Sequence, residues 1–214
     1  MASKVVAYEI DENLRPVLNH NLKDCNNVKV IFQDIMKADI KEIEAQFDGK
    51  YTIVANLPYY ITTPIIFKFL ENATNLEKLV IMVQYEVAER LVAKANTSNY
   101  GAITVAIDSV GTANITRKVK RNMFVPAPNV DSAIVTIEFN KNKFDVKDKL
   151  VLDRLIKSAF AMRRKTLANN LKKDFGLTGE QISSMLTQCG LDVNIRGEAL
   201  NTEQFVKLAN MIAK

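Results

Sequence analysis

One feature constrains this chain more than any other: short β-branched, largely apolar runs alternate with stretches of helical period. The runs are residues 4–10 (KVVAYEI), 28–33 (VKVIFQ), 51–56 (YTIVAN) and 78–84 (KLVIMVQ). Helical patterns follow at 14–22, 35–46, 64–71 and 85–95. Runs that are apolar on both faces read as buried parallel strands. Their alternation with helices predicts βαβ crossovers and a doubly wound α/β sheet. Pro16 would break a helix interior, but a cap at Asn13 places it in the first turn, where its missing N–H costs little.

The pattern then changes. Residues 102–119 and 131–139 read as two longer strands with no helix between them. They form an antiparallel pair at one edge of the sheet, joined by a basic, proline-containing loop, RKVKRNMFVPAPNV. The polar stretch NKNKFDVKDK marks a domain boundary, dividing the chain into 1–140 and 141–214. Beyond it the period is helical, at 150–162, 165–175, 179–189 and 202–213. Gly176 and Gly190 stand at C-terminal caps, and Thr178 with Gln181 makes a capping box.

Charge separates the two parts. The net +5 of the chain divides into −1 over residues 1–139 and +6 over 140–214. A basic segment beside a neutral one suits a polyanionic partner, usually nucleic acid, or a solvated helical surface. Two distant cysteines, Cys25 and Cys189, and a single histidine, His20, leave no disulfide framework and no His/Cys metal site. There is no signal-peptide layout and no apolar window of membrane-spanning length, so a cytoplasmic setting without membrane attachment is expected.

The sharpest chemical signal is Asn56-Leu57-Pro58-Tyr59, directly after YTIVA. It stands at the C-terminal end of a strand, the edge where open α/β sheets bind ligands. The residue types suit methylation of an exocyclic amine, whose lone pair is delocalised into the ring. An Asn side-chain oxygen and a backbone carbonyl can accept both amine hydrogens and localise that lone pair. Pro58 biases Leu57 toward an extended conformation and so aims its carbonyl. Tyr59 offers a face on which an extruded base can stack.

Two acids occupy other strand ends. Glu9 ends KVVAYEI and suits the hydroxyls of a nucleoside ribose. Asp34, after VKVIFQ, suits an adenine amino group or, equally, the N-cap of the following helix. Phe124, beside Arg117, Lys118, Lys120 and Arg121, reads as a stacking platform for RNA or as core beneath a proline-rich turn. Arg163, Arg164 and Lys165 match phosphate binding or a solvated helix end.

Taken in order, VVAYEID, FQDIM, ANLPYYITTPI, QYEVAERLVA, YGAITV, FVPAPNVDSAIV, AFAMRRKTLANNL and IRGEALNTEQFVKLAN resemble the ribosomal RNA adenine dimethyltransferase family (KsgA type) across essentially the whole chain. The resemblance implies a class I, Rossmann-like methyltransferase sheet with a small all-helical C-terminal domain. It implies S-adenosylmethionine as methyl donor and two neighbouring adenosines of small-subunit rRNA as target, within the immature small subunit. By resemblance, Glu9 with Ile10 holds the donor's ribose and Asp34 with Ile35 its adenine. Asn56 borders the donor and grips the target N6, Leu57 supplies the carbonyl, and Tyr59 and Phe124 flank the base. Gln84, Glu86 and Arg90 also match and are expected to make structural contacts. The family's pattern opens with a strand and a glycine-rich turn cradling the donor's methionine portion. This sequence has no two glycines separated by one residue. An N-terminally truncated sheet and weak donor affinity are therefore expected. Two other functions are weighed: a noncatalytic RNA-binding or ribosome-assembly protein, and a large-subunit rRNA methyltransferase conferring antibiotic resistance. The C-terminal RGEALNTEQF block favours the small-subunit target over the large.

Overall fold

The computed structural model describes residues 2–140 and 142–213. Packing divides the chain into two compact units, residues 1–52 with 60–77, and residues 53–59 with 78–214. Lys141, at the expected boundary, lies outside the described residues.

The first unit carries strands β1 (Val5–Glu9) and β2 (Val28–Phe32) and helices α1 (Arg15–Asn21), α2 (Ile40–Glu44) and α3 (Thr62–Asn72). β1 and β2 pair in parallel, Val5 opposite Val28 through Glu9 opposite Phe32, as a two-stranded sheet. A doubly wound sheet truncated at its N-terminal side was expected; the described strands form two sheets, one of two strands and one of four. Alternation identifies strands but not which edges meet, a choice made by long-range hydrogen bonding. No residue of β1 or β2 is buried, so apolar composition here does not mean coverage on both faces.

Two helix starts also differ from expectation. The Asp11 side chain accepts the Asn13 N–H and caps a 3-10 turn, Glu12–Leu14; α1 then begins with Pro16 in its first turn and Leu14, not Asn13, at its N-cap. The helix expected over 35–46 is only α2, capped by Asp39; the residues before it turn on the Asp34 carbonyl, which accepts from Lys37 and Ala38.

Glu44 is the polar anchor of this unit. Its buried carboxylate accepts the Thr74 N–H (2.7 Å), the Asn75 N–H (2.8 Å), the Tyr51 hydroxyl (3.2 Å) and the Thr74 hydroxyl. Burial would push this carboxyl up, but the donors outweigh it and hold it below the ordinary range. Because the folded value is depressed, the stabilisation is complete above the unfolded pKa of about 4.3 and is lost as pH falls through the folded one. Glu44→Gln halves the acceptor capacity and is expected to cost about 1–3 kcal/mol at neutral pH. Urea titration should show the gap between the two chains narrowing below about pH 4.

Strand β3 (Tyr51–Asn56) joins β4 (Leu76–Gln84), β6 (Ser132–Phe139) and β5 (Gly111–Val119) in a four-stranded sheet ordered β3-β4-β6-β5. β6 runs antiparallel to both neighbours, and β5 forms the expected antiparallel edge. The second unit also holds α4 (Tyr85–Leu91), shorter than the expected 85–95, and α5 (Ala102–Val110).

α5 overturns the expected strand over 102–119. Its first half, AITVAIDSV, is helical, and only Gly111–Val119 is strand. Ile103–Ile107 are all buried, so no polar face marks a helical period. Gly101 donates its N–H to the Thr104 hydroxyl at the helix start. At the other end, a Cβ on Gly111 would run into the Glu138 carbonyl, so glycine is required where helix passes into strand.

The C-terminal helices are α6 (Lys149–Ala161), α7 (Leu167–Phe175), α8 (Gly179–Gln188) and α9 (Thr202–Ile212). Their caps follow the sequence. Thr178 and Gln181 form the capping box, and Gly176 and Gly190 take φ of +66° and +71° after α7 and α8. α5 packs on α6 and α9, so Tyr100 and Val105 share one core with Leu155, Leu171, Leu186 and Phe205. Burial pushes the Tyr100 phenol up to about 12, and its hydroxyl donates to the Leu200 carbonyl at 2.8 Å.

Candidate active site

In the first unit, Glu9 and Asp34 stand at adjoining ends of the parallel pair. Glu9 faces Phe32 in register, and the Gln33 N–H donates to the Glu9 carbonyl at 2.9 Å. Each carboxylate is held by its own turn. Glu9 Oε1 accepts the Asp11 N–H and Asp34 Oδ1 the Met36 N–H, both at 2.8 Å. Asp34 therefore caps no helix: its Oδ1 closes a turn ahead of α2, which Asp39 caps, while its Oδ2 makes no hydrogen bond among the described residues. Glu9 Oε2 is likewise without a partner among them. Ile10 is 69% exposed and Ile35 half-buried. Two fixed carboxylates with one acceptor oxygen each, beside apolar side chains, fit the hydroxyls and amino group of a nucleoside.

In the second unit, Asn56 ends β3 with its side chain exposed, and its carboxamide makes no hydrogen bond among the described residues. Leu57 is buried and pins the tetrad by its side chain; Pro58 is exposed. Tyr59 is 37% exposed, and its hydroxyl lies 3.1 Å from Ser132 Oγ. Ser132 is fully buried where three strands converge, opposite Gln84 of β4 and Val119 of β5.

Asp131, the residue before it, organises the basic hairpin. It accepts the Arg121 N–H at 3.0 Å, lies 3.3 Å from Lys118 Nζ, and gives its carbonyl to the Tyr85 N–H at 2.9 Å. The Arg121 N–H and the Lys118 ammonium hold its carboxyl below the usual range. Lys118 Nζ also sits 4.1 Å from the centre of the Tyr85 ring. Arg117 and Lys118 belong to β5, beyond a bulge after Ile115, rather than to the loop. Lys120 is exposed and Phe124 half-buried, its N–H on the Arg121 carbonyl.

Arg163, Arg164 and Lys165 lie between α6 and α7, but not as three equivalent cations. The Arg163 guanidinium donates to the Tyr100 carbonyl (3.1 Å) and pairs with Glu198 (3.2 Å). Arg164 and Lys165 are exposed.

Residues 1–214 match the model of the family described as ribosomal RNA adenine dimethylase. The chain belongs to that family. Among relatives of the rRNA adenine dimethylase chain, the ribosomal RNA small subunit methyltransferase A of Clostridioides difficile (strain 630) is 42% identical over 215 residues, 99% of this chain and 74% of that protein. A dimethyladenosine transferase from Plasmodium falciparum superposes with a TM-score of 0.76 at 25% identity, covering 97% of this chain and 81% of that one. The 23S rRNA methyltransferase ErmE shares the fold, with a TM-score of 0.69 at 22% identity, over 100% of this chain and 83% of its own. The α/β methyltransferase fold and the enzyme family expected from the sequence are thereby shown.

Three residues packed beside the candidate site were not singled out from the sequence: Ser132, Asp131 and Tyr85. The signal for the first two was the VDS that closes FVPAPNVDS. The partners lie 73 residues away for Ser132 and 13 for Lys118 with Asp131, so nothing local announces them.

Proposed function

We propose that this chain transfers methyl groups to N6 of two adjacent adenosines in small-subunit rRNA, as a step in maturation of that subunit. The observation carrying the proposal is the Asn56-Leu57-Pro58-Tyr59 tetrad at the end of β3, with the Tyr59 hydroxyl anchored on the sheet. Relatives at 42% identity over 99% of the chain, named ribosomal RNA small subunit methyltransferase A, support the substrate.

S-adenosylmethionine, when bound, supplies an electrophilic methyl group. Glu9 and Asp34 would hold its nucleoside through their remaining oxygens, with Ile10 and Ile35 as apolar contacts. The other roles fall to the tetrad. Asn56 Oδ1 and the Leu57 carbonyl accept the two N6 hydrogens, draw the nitrogen toward tetrahedral geometry and expose its lone pair. These acceptors are positioned before reaction, so little reorganisation is needed as charge develops on N6. Pro58 keeps Leu57 extended, and Tyr59 and Phe124 give the extruded base aromatic surfaces. N6 gains the methyl group and gives up one proton to solvent per transfer, so both acceptors are engaged in the first transfer and one of them in the second.

RNA affinity is assigned to basic residues of 141–214 and to Arg117, Lys120 and Arg121, with Lys118 engaged by Asp131 and the Tyr85 ring. The deciding experiment incubates the chain with S-adenosylmethionine and small ribosomal subunits lacking the modification. Mass spectrometry of digested rRNA should then show N6,N6-dimethyladenosine at two neighbouring positions. No methyl on any adenosine N6 would overturn the proposal. Because Arg163 is engaged with Glu198 and Tyr100, the phosphate contacts are assigned to Arg164 and Lys165. Replacing both by alanine should weaken rRNA binding and reduce the slope of log affinity against log salt by about 1–2, as fewer counterions are released. An unchanged slope contradicts that assignment.

A further inference from the structure

We propose that Ser132 is a positioning residue for the transfer: its hydroxyl tethers Tyr59 and so sets the plane on which the target base stacks. The proposal rests on the function assigned above and adds a residue to it. Three observations support it. Ser132 is fully buried, and its Oγ lies 3.1 Å from the Tyr59 hydroxyl. It is bracketed by register partners on both sides, Gln84 and Val119, so its own position is fixed by two strands. Tyr59 has no such support, because it lies beyond the end of β3 in a short 3-10 turn and is over a third exposed.

A tyrosine ring on a turn has freedom about χ1 and χ2. A phenol hydrogen-bonded to a group fixed by the sheet loses much of that freedom before the base arrives, and pre-organisation of this kind favours the reacting complex. A free serine hydroxyl at a fully buried site would carry a desolvation cost, which the phenol relieves. The pair therefore holds the ring by its far end while over a third of the residue stays exposed.

The test compares Ser132→Ala, Tyr59→Phe and the double variant, with Tyr59→Ala as control. Turnover is measured on small-subunit rRNA. Base stacking is read independently as quenching of a bound hairpin RNA carrying 2-aminopurine at the target position. Ser132→Ala and Tyr59→Phe should each lower kcat roughly three- to tenfold, the worth of one net hydrogen bond, with KM for RNA little changed. Both should quench the probe less than the unaltered chain, and to the same degree. The double variant should match either single, because the one bond can be lost only once. Ser132→Thr, which keeps the hydroxyl, should restore turnover and quenching. A fall in turnover or quenching for Ser132→Ala with none for Tyr59→Phe, or a double variant worse than both singles, overturns the tether. Tyr59→Ala with unaltered quenching and turnover instead overturns the stacking role of Tyr59, and the proposal with it.

Discussion

Asn56→Ala lowers methyl transfer to small-subunit rRNA by roughly two to four orders of magnitude, as expected for a positioned polar group that acts on the transition state. The amine of an adenosine is a poor nucleophile while its lone pair is conjugated with the ring. An acceptor for one of its hydrogens helps only as the nitrogen leaves the ring plane, so its loss appears in kcat. RNA affinity should change little, because the basic residues assigned to phosphate contacts lie elsewhere in the chain. The exposed Asn56 side chain makes no hydrogen bond among the described residues, so its removal should leave stability within about 0.5 kcal/mol. Turnover, rRNA affinity and urea unfolding, measured on the same preparation, separate these effects. Near-unaltered kcat would remove Asn56 from the chemistry.

The largest expected effect on stability comes from Phe205→Ala. Phe205 is fully buried in α9, its ring stacked 6.0 Å from Phe160, which in turn meets Tyr100 edge-on at 5.8 Å. This aromatic row joins α6 and α9 to the segment leading into α5. Deleting the ring removes its transfer free energy and leaves a cavity, together about 3–5 kcal/mol. That is a large share of the 5–15 kcal/mol that holds a typical domain folded. For a chain of this size it corresponds to a fall of about 6–20 °C in Tm. Phe205→Leu, which refills most of the volume, should recover more than half of the loss. Thermal and urea unfolding provide the measurement. A loss below about 1 kcal/mol for the alanine variant would show that the helices collapse into the space.

Local placement was legible in the residues themselves. The tetrad and both strand-end acids could be found because each needs only its neighbours: an apolar strand before, a proline or a turn after. The caps of α7 and α8 were legible for the same reason, since Thr178, Gln181, Gly176 and Gly190 act within a few residues of one another. Ordered motifs along the whole chain also marked the family, and with it the fold class and the enzyme class. Tertiary structure alone decided the rest. Ala102–Val110 is a helix because neighbours bury its apolar surface, which erases the polar face that would have revealed its period. β1 and β2 form their own sheet because strand pairing depends on which distant edges meet. Arg163 differs from Arg164 and Lys165 only because folding brings it to Glu198 and the Tyr100 carbonyl. Ser132 gains its place beside Tyr59 in the same way, since a side chain's partner across the fold is set by the path of the chain and leaves no mark on the residues next to it.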